Sequence, residues 1–180
     1  MVDVMADRRK IFIMNGTHWD REWYYPFQWF RFSLVATFDA LLAIMDRDPD
    51  FRFVFDGQTI VLEDYYEIRP EMREKIENYA REGRLRIGPW YVMPDENLVS
   101  GESLVHNLLR GRKISHEHGV EPMKDGYVVD CFGHTAQMAQ IFSRFGLVHA
   151  TLGRGANRKN TPAHFIWQSP DGTKLPAFKL

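Results

Sequence analysis

The sequence predicts an α/β fold with mainly parallel strands, and three observations carry that prediction. Short apolar runs alternate with longer stretches whose apolar residues recur at helical spacing. Turn signals such as Asp56-Gly57 and Gly83 close these segments. Unusual polar residues (His18, Asp20, Asp56, Asp95, Asp130, Arg154) fall just after the predicted strands. Parallel β/α architectures gather their sites on that rim of carboxyl ends, so residues distant in sequence can converge there.

Lys10–Met14 has the short β-branched and aromatic content of a first strand. From Pro26 to Met45, Phe27, Phe30, Leu34, Phe38, Leu41, Leu42 and Met45 recur with helical period. Phe51–Phe55 alternates as a strand and ends at Asp56-Gly57. Two helical stretches follow, broken at Pro70, a residue suited to a first helical position. The second, Glu71–Arg81, closes on Gly83 as a C-cap. Leu85–Ile87 is a third strand running into Gly88-Pro89-Trp90. Ser100 with early Glu102 starts a helix reaching about Gly119, a polar cap and an acid favouring its exposed amides. Tyr127–Val129 is a fourth strand, Thr135–Phe145 a helix and Leu147–Leu152 a fifth strand. Phe165–Gln168 and Leu175–Phe178 flank the hairpin-like turn Ser169-Pro170-Asp171-Gly172. Repeated strand–helix units imply right-handed crossovers in one α/β domain.

A length of 180 residues suffices for a sizeable core, and 44% hydrophobic with 26% charged residues is an ordinary globular balance. The net charge of −1 argues against a nucleic-acid-tracking surface. No apolar stretch reads as membrane-spanning, and the polar residues 1–10 do not form a signal peptide. The single Cys131 excludes an intramolecular disulfide and fits a reducing, cytoplasmic setting. Asn15-Gly16-Thr17 is a formal glycosylation sequon, idle without secretion.

Two motifs hold the unusual chemistry: His18-Trp19-Asp20-Arg21-Glu22-Trp23 and Asp130-Cys131-Phe132-Gly133-His134. In an extended segment His18 and Asp20 point the same way, so both can reach one ion while Trp19 turns into the wall. Imidazole nitrogen and carboxylate oxygen suit zinc. A strand-end His and Asp equally serve as loop hydrogen-bonding residues, and Asp130 equally serves as a cap for a helix near His134. Cys131 reads as a small core residue. His116-Glu117-His118 reads as a solvated helix end, since residues two apart on a helix face different sides. His106, His149 and His164 read as structural.

HWDREWY, GPWYVMPDENLVSGESL and DCFGHTAQMAQIF, in this order, resemble the N-terminal catalytic region of glycoside hydrolase family 38, the zinc-dependent retaining α-mannosidases. FDGQTIVLEDYYEIRP and FIWQSPDGTKL extend the resemblance over nearly all of residues 1–180. It implies part of an irregular (β/α)7 barrel with mainly parallel strands. It also implies zinc held by His18, Asp20 and Asp130, with Asp130 as the nucleophile as well. Trp23 matches an aromatic that packs on the sugar, and Arg154 an arginine near the nucleophile. The implied substrate is an α-mannoside or a mannosylated small molecule.

The sequence departs from the family pattern at Gly16, where a His is usual, at His106 for an Arg, and at Cys131 for a Ser or Pro. The family's fourth zinc ligand and its acid/base Asp match no residue here. The chain is therefore expected to be incomplete, needing the remaining barrel or a partner chain, and a homo-oligomer is compatible with it. A non-catalytic remnant of the same fold and, more remotely, a metal-dependent carbohydrate deacetylase are the competing readings.

Overall fold

The computed structural model describes residues 13–157 and 159–180. Strands β1 (Asn15–Thr17), β2 (Phe53–Phe55) and β3 (Leu85–Arg86) pair in parallel in that order. A second sheet contains β4 (Asp125–Val128), β5 (His149–Leu152), β6 (His164–Gln168) and β7 (Lys174–Lys179) in the order β4-β5-β7-β6. Its pairs are parallel except the β6–β7 hairpin. Trp90, fully buried, joins the sheets: its backbone N–H donates to Gly57 O at 3.0 Å and its indole N–H to Tyr127 O at 3.0 Å. The α/β class with mainly parallel strands is therefore the fold of this chain.

Helix α1 (Phe27–Arg47) lays Leu34, Phe38, Leu41, Leu42 and Met45 against the first sheet, a stripe at helical spacing. Phe38 stacks on Phe55 with ring centroids 4.5 Å apart. The short helices α2 (Ile60–Tyr66) and α3 (Arg73–Arg81) complete this core with Tyr65 and Ile76, and a 3-10 turn at Pro70–Met72 separates them. Gly83 ends α3 with φ 71°, a conformation that glycine adopts without strain. Helix α4 (Gly101–Glu117) begins on Ser100, whose hydroxyl accepts the Ser103 N–H at 3.1 Å. Helix α5 (Met138–Arg144) packs Phe142 onto the second sheet, where only a glycine fits at position 126.

One contact of α4 fixes the loop after β3. Gly111 lets the helix touch the backbone of Pro89–Tyr91, and one turn earlier Asn107 Oδ1 accepts Tyr91 N–H at 2.9 Å and Val92 N–H at 3.1 Å. The Asn107 amide returns a bond to Val92 O at 2.7 Å. Residues 91–95 are thereby clamped against the rim.

The structure differs from the sequence reading in four places. The first strand falls at Asn15–Thr17, after the apolar run; Ile13 and Met14 are unpaired, and the rest of Lys10–Met14 lies outside the described residues. Backbone pairing, Gly16 opposite Val54, selects this segment, and a Cβ at Gly16 would sit 3.0 Å from Val54 O. The helix expected from Thr135 starts at Met138, after a turn in which Met138 N–H donates to Thr135 O at 3.2 Å, while the Thr135 N–H is held by Glu96 Oε2 at 2.8 Å. His118 is not solvated: its ring is largely buried beside Tyr66, 5.0 Å between centroids, and burial lowers its pKa. Finally, α1 at 21 residues is long and apolar enough by length and composition to cross a membrane, against the expectation that no stretch is. Here one stripe of it packs on the first core, and it is tied down by Asp39, which accepts from Tyr65 and Arg69, and by Asp46, which accepts from Lys75 and Tyr79.

The α4 contact decides the sign of a substitution that helix propensity alone would get wrong. Gly→Ala inside a helix ordinarily gains about 1 kcal/mol. At Gly111 the new Cβ would lie 2.2 Å from Pro89 O and 2.5 Å from the Trp90 carbonyl carbon, so backbone must move. Gly111→Ala is expected to destabilise by about 1–3 kcal/mol, the usual cost of overpacking. Gly101→Ala, with nothing within 4 Å, is expected to be neutral or slightly stabilising. Chemical denaturation of both variants checks the contrast.

Candidate metal and nucleophile site

The strands deliver polar side chains to one rim. His18 follows β1, Asp56 follows β2, and Asp130 and Arg154 follow β4 and β5 by two residues. His18 Nε2 lies 3.4 Å from Asp20 Oδ1 and 3.0 Å from Asp130 Oδ2. Trp19 points the other way into the wall, its ring 6.1 Å from Phe30 and 6.5 Å from Phe55. The side chains thus alternate as extended backbone requires.

The other imidazole nitrogen is held from behind. His18 Nδ1 lies 2.9 Å from Asp56 Oδ2, an atom that also accepts the Trp19 N–H at 2.7 Å and the Gln58 amide at 2.8 Å. Gln58 is buried, donates to Trp19 O at 2.8 Å and accepts the Met93 N–H at 3.1 Å. It stitches together the loops after β1, β2 and β3. The hydrogen bond to Asp56 is the main reason that His18 titrates at about 9, against 6.5 for a free side chain. Partial burial opposes the rise, and the charges of Asp56, Asp20 and Asp130 add to it.

These donors meet the requirements of a divalent ion. Ligand atoms of His18, Asp20 and Asp130 all lie within 4.8 Å of one another. Donors about 2.0–2.1 Å from a tetrahedral zinc stand about 3.3 Å apart, which the 3.4 and 3.0 Å separations match. A neutral Nε2 would aim its lone pair at two carboxylates, so a cation at the centre, proton or metal, relieves the repulsion. A second cluster, Glu96, Cys131 and His134, has similar spacing but is already satisfied internally. His134 Nδ1 pairs with Glu96 Oε1 at 2.9 Å, its Nε2 meets Arg154 O at 3.0 Å, and the Cys131 thiol donates to Pro94 O at 3.1 Å. Burial pushes that thiol up to about 12, which leaves it inert.

Asp130 is not a helix cap. One carboxylate oxygen faces His18, and the other pairs with the Arg154 guanidinium, 2.6 Å from Nε, whose N–H donates to the Asp130 main-chain carbonyl at 3.2 Å. The guanidinium lies over the Phe132 ring, 4.2 Å from its centroid, within the reach of about 6 Å of a cation–π contact. Trp23, 60% exposed, lines the same cleft with His18, Asp20, Asp130, Phe132 and Arg154. Its loop is anchored by Arg21, which makes a two-pronged pair with the buried Asp64 at 2.8 and 2.9 Å. His106, His149 and His164 stay off the rim; His106 pairs with Glu102 at 3.0 Å, and the other two pack on Phe178.

Sequence reasoning gave no role to Asp56, Gln58, Arg21, Phe132 or Glu96. Asp56 was visible only as a polar residue after a strand and reads locally as half of an Asp-Gly turn. Both Asp56 and Gly57 do adopt positive φ, 48° and 65°. Its partners Trp19 and His18 lie 37 and 38 residues earlier, a separation no local pattern reports.

With this geometry in place, comparison with known proteins is informative. Residues 8–179 match the glycosyl hydrolases family 38 N-terminal domain. A protein of Halalkalibacterium halodurans named as a mannosylglycerate hydrolase is 41% identical over 180 aligned residues, which cover 91% of this chain and 20% of that protein. The crystal structure of an α-mannosidase from Enterococcus faecalis superposes with a TM-score of 0.88 at 36% identity, over 93% of this chain and 19% of that one. A 4-α-glucanotransferase from Thermococcus litoralis shares the fold alone, with a TM-score of 0.72 at 12% identity over 93% of this chain. The chain spans about a fifth of the length of the two mannoside-active relatives. Taken with the match over residues 8–179 to the family's N-terminal domain, these likenesses show that the chain belongs to glycosyl hydrolase family 38.

Proposed function

We propose that this chain supplies the nucleophile and three metal ligands of a retaining α-mannosidase whose substrate is an α-mannoside or a mannosylated small molecule such as mannosylglycerate. The observation that carries the reading is the convergence of His18 Nε2, Asp20 and Asp130 within 4.8 Å, with Arg154 on the far oxygen of Asp130. The names of the relatives support the substrate class. The buried, unpaired Cys131 supports a reducing cytoplasm.

In this reading His18, Asp20 and Asp130 would hold one zinc ion, which when bound would supply Lewis-acid and template chemistry to the sugar. Asp130 attacks the anomeric carbon as the bond to the leaving oxygen breaks, and a glycosyl ester forms on its carboxylate. A second carboxyl group protonates the leaving oxygen and then activates water to hydrolyse the ester. Arg154 keeps the Asp130 carboxylate in one orientation, so little reorganisation is needed at attack. Trp23 offers the C–H face of the sugar an apolar wall. The acid/base and a fourth metal ligand come from a segment outside these 180 residues, consistent with the chain spanning a fifth of its relatives.

Two measurements test this. In the complete protein, Asp130→Ala is expected to lower aryl α-mannoside hydrolysis by about 10³-fold or more, and azide is expected to restore part of the rate with an inverted product. Wild-type turnover in that variant overturns the nucleophile assignment. The 180-residue chain alone is expected to show no zinc-dependent turnover of the same substrate. Hydrolysis by the purified chain would place the acid/base among the residues described above.

A further inference from the structure

We propose that Asp56 is the positioning residue of the metal site: it selects which imidazole nitrogen of His18 faces the ion. The proposal rests on the metal reading above and adds a residue that touches neither ion nor sugar. Asp56 has no solvent exposure, yet its hydrogen bonds converge on a single oxygen. Its other oxygen, Oδ1, is buried without a partner among the described residues. An acid that served only to tie down the loop would gain by engaging both oxygens. Here Oδ2 is fixed by the Trp19 N–H and the Gln58 amide, and from that position it meets His18 Nδ1 at 2.9 Å.

That contact decides the chemistry at the opposite nitrogen. A carboxylate only accepts, so Nδ1 must carry its proton, and Nε2 is left as the ligating atom. Nε2 is also the nitrogen that faces Asp20 and Asp130. Asp56 holds this arrangement from a left-handed backbone, φ 48°, a conformation uncommon for residues other than glycine and one that costs energy. Gly57 follows at φ 65°, and a Cβ there would lie 2.9 Å from the Tyr127 ring. The turn is thus locked between β2 and β4, and the carboxylate cannot swing away.

The test titrates zinc into metal-stripped wild-type and Asp56→Asn protein against a competing chelator. It also records nitrogen-15 spectra of the His18 ring in both zinc-loaded forms. Zinc dissociation is expected to weaken about 10–100-fold in the variant, with the unfolding temperature of the metal-free form recorded beside it. The wild-type ring is expected to show a protonated Nδ1 and a metal-bound Nε2, and the variant a mixture of the two nitrogens. A loop-tying role would lower the unfolding temperature but leave the ring assignment unchanged. Equal zinc affinity in the two proteins overturns the proposal, as does a wild-type ring ligating through Nδ1. Should Asp56→Asn fail to fold, the wild-type spectrum decides alone. A wild type that binds no stoichiometric zinc overturns the underlying metal reading, and that outcome is read without the variant.

Discussion

The site depends on one buried oxygen. Asp56 Oδ2 receives a backbone N–H from the loop after β1, an amide from Gln58 and the imidazole of His18. Removing a carboxylate from water costs several kcal/mol, and its backbone conformation adds about 1–3 kcal/mol. Hydrogen bonds to a charged group contribute about 1.5–3 kcal/mol each, so the Trp19 N–H, the Gln58 amide and the facing imidazole offset this cost together. Through Asp56 and Gln58 the loops after β1 and β2 and the Met93 loop are tied to one another. Strand pairing alone would not achieve this, since β1 and β2 share only three registered residues.

From that anchor the electrostatics of the rim follow. Asp20, Asp56 and Asp130 surround a single imidazole, and Arg154 balances Asp130 from outside. The centre of the cluster is short of positive charge. In the ion-free form a proton on His18 meets that need, as its rise to about 9 reflects. A divalent ion at the same place satisfies three acids more fully than one proton does. Asp130 is held at both ends, by His18 on one oxygen and Arg154 on the other, while Phe132 supports the arginine. Glu96 and His134 pin the far end of the same segment through Thr135 N–H and Arg154 O.

What the sequence revealed of the fold divides along physical lines. Strands that lie inside the sheets carry their own signal: Phe53–Phe55 is an apolar run, and the expected strand Leu147–Leu152 contains the mostly buried β5. The edge strand β1 escapes that rule, since Asn15 and Gly16 are exposed and pair through backbone alone. Helix α1 was legible from its stripe, whereas the start of α5 was not, because the residues before Met138 form a turn whose Thr135 N–H is held by a carboxylate 39 residues earlier. The site was legible to the same extent. His18, Asp20, Asp130, Trp23 and Arg154 stand in short motifs at strand ends, and the structure brings their side chains to one cleft. Asp56 and Gln58, which hold that cleft together, were legible only as members of a turn and of a resembling segment.

The two motifs solve the same geometric problem in the same way. In the first, His18 and Asp20 face the cleft while Trp19 enters the core beside Phe30 and Phe55. In the second, Asp130 and Phe132 face the cleft while Cys131 is buried against Pro94. Extended backbone repeats every two residues, so each buried side chain fixes its neighbours outward. A one-residue slip would exchange the faces, driving an imidazole or a carboxylate into the core and exposing an indole or a thiol. The loss of buried Trp19 and Cys131 and the cost of burying a carboxylate therefore both penalise the wrong register. The apolar residue inside each motif orients the chemistry on either side of it.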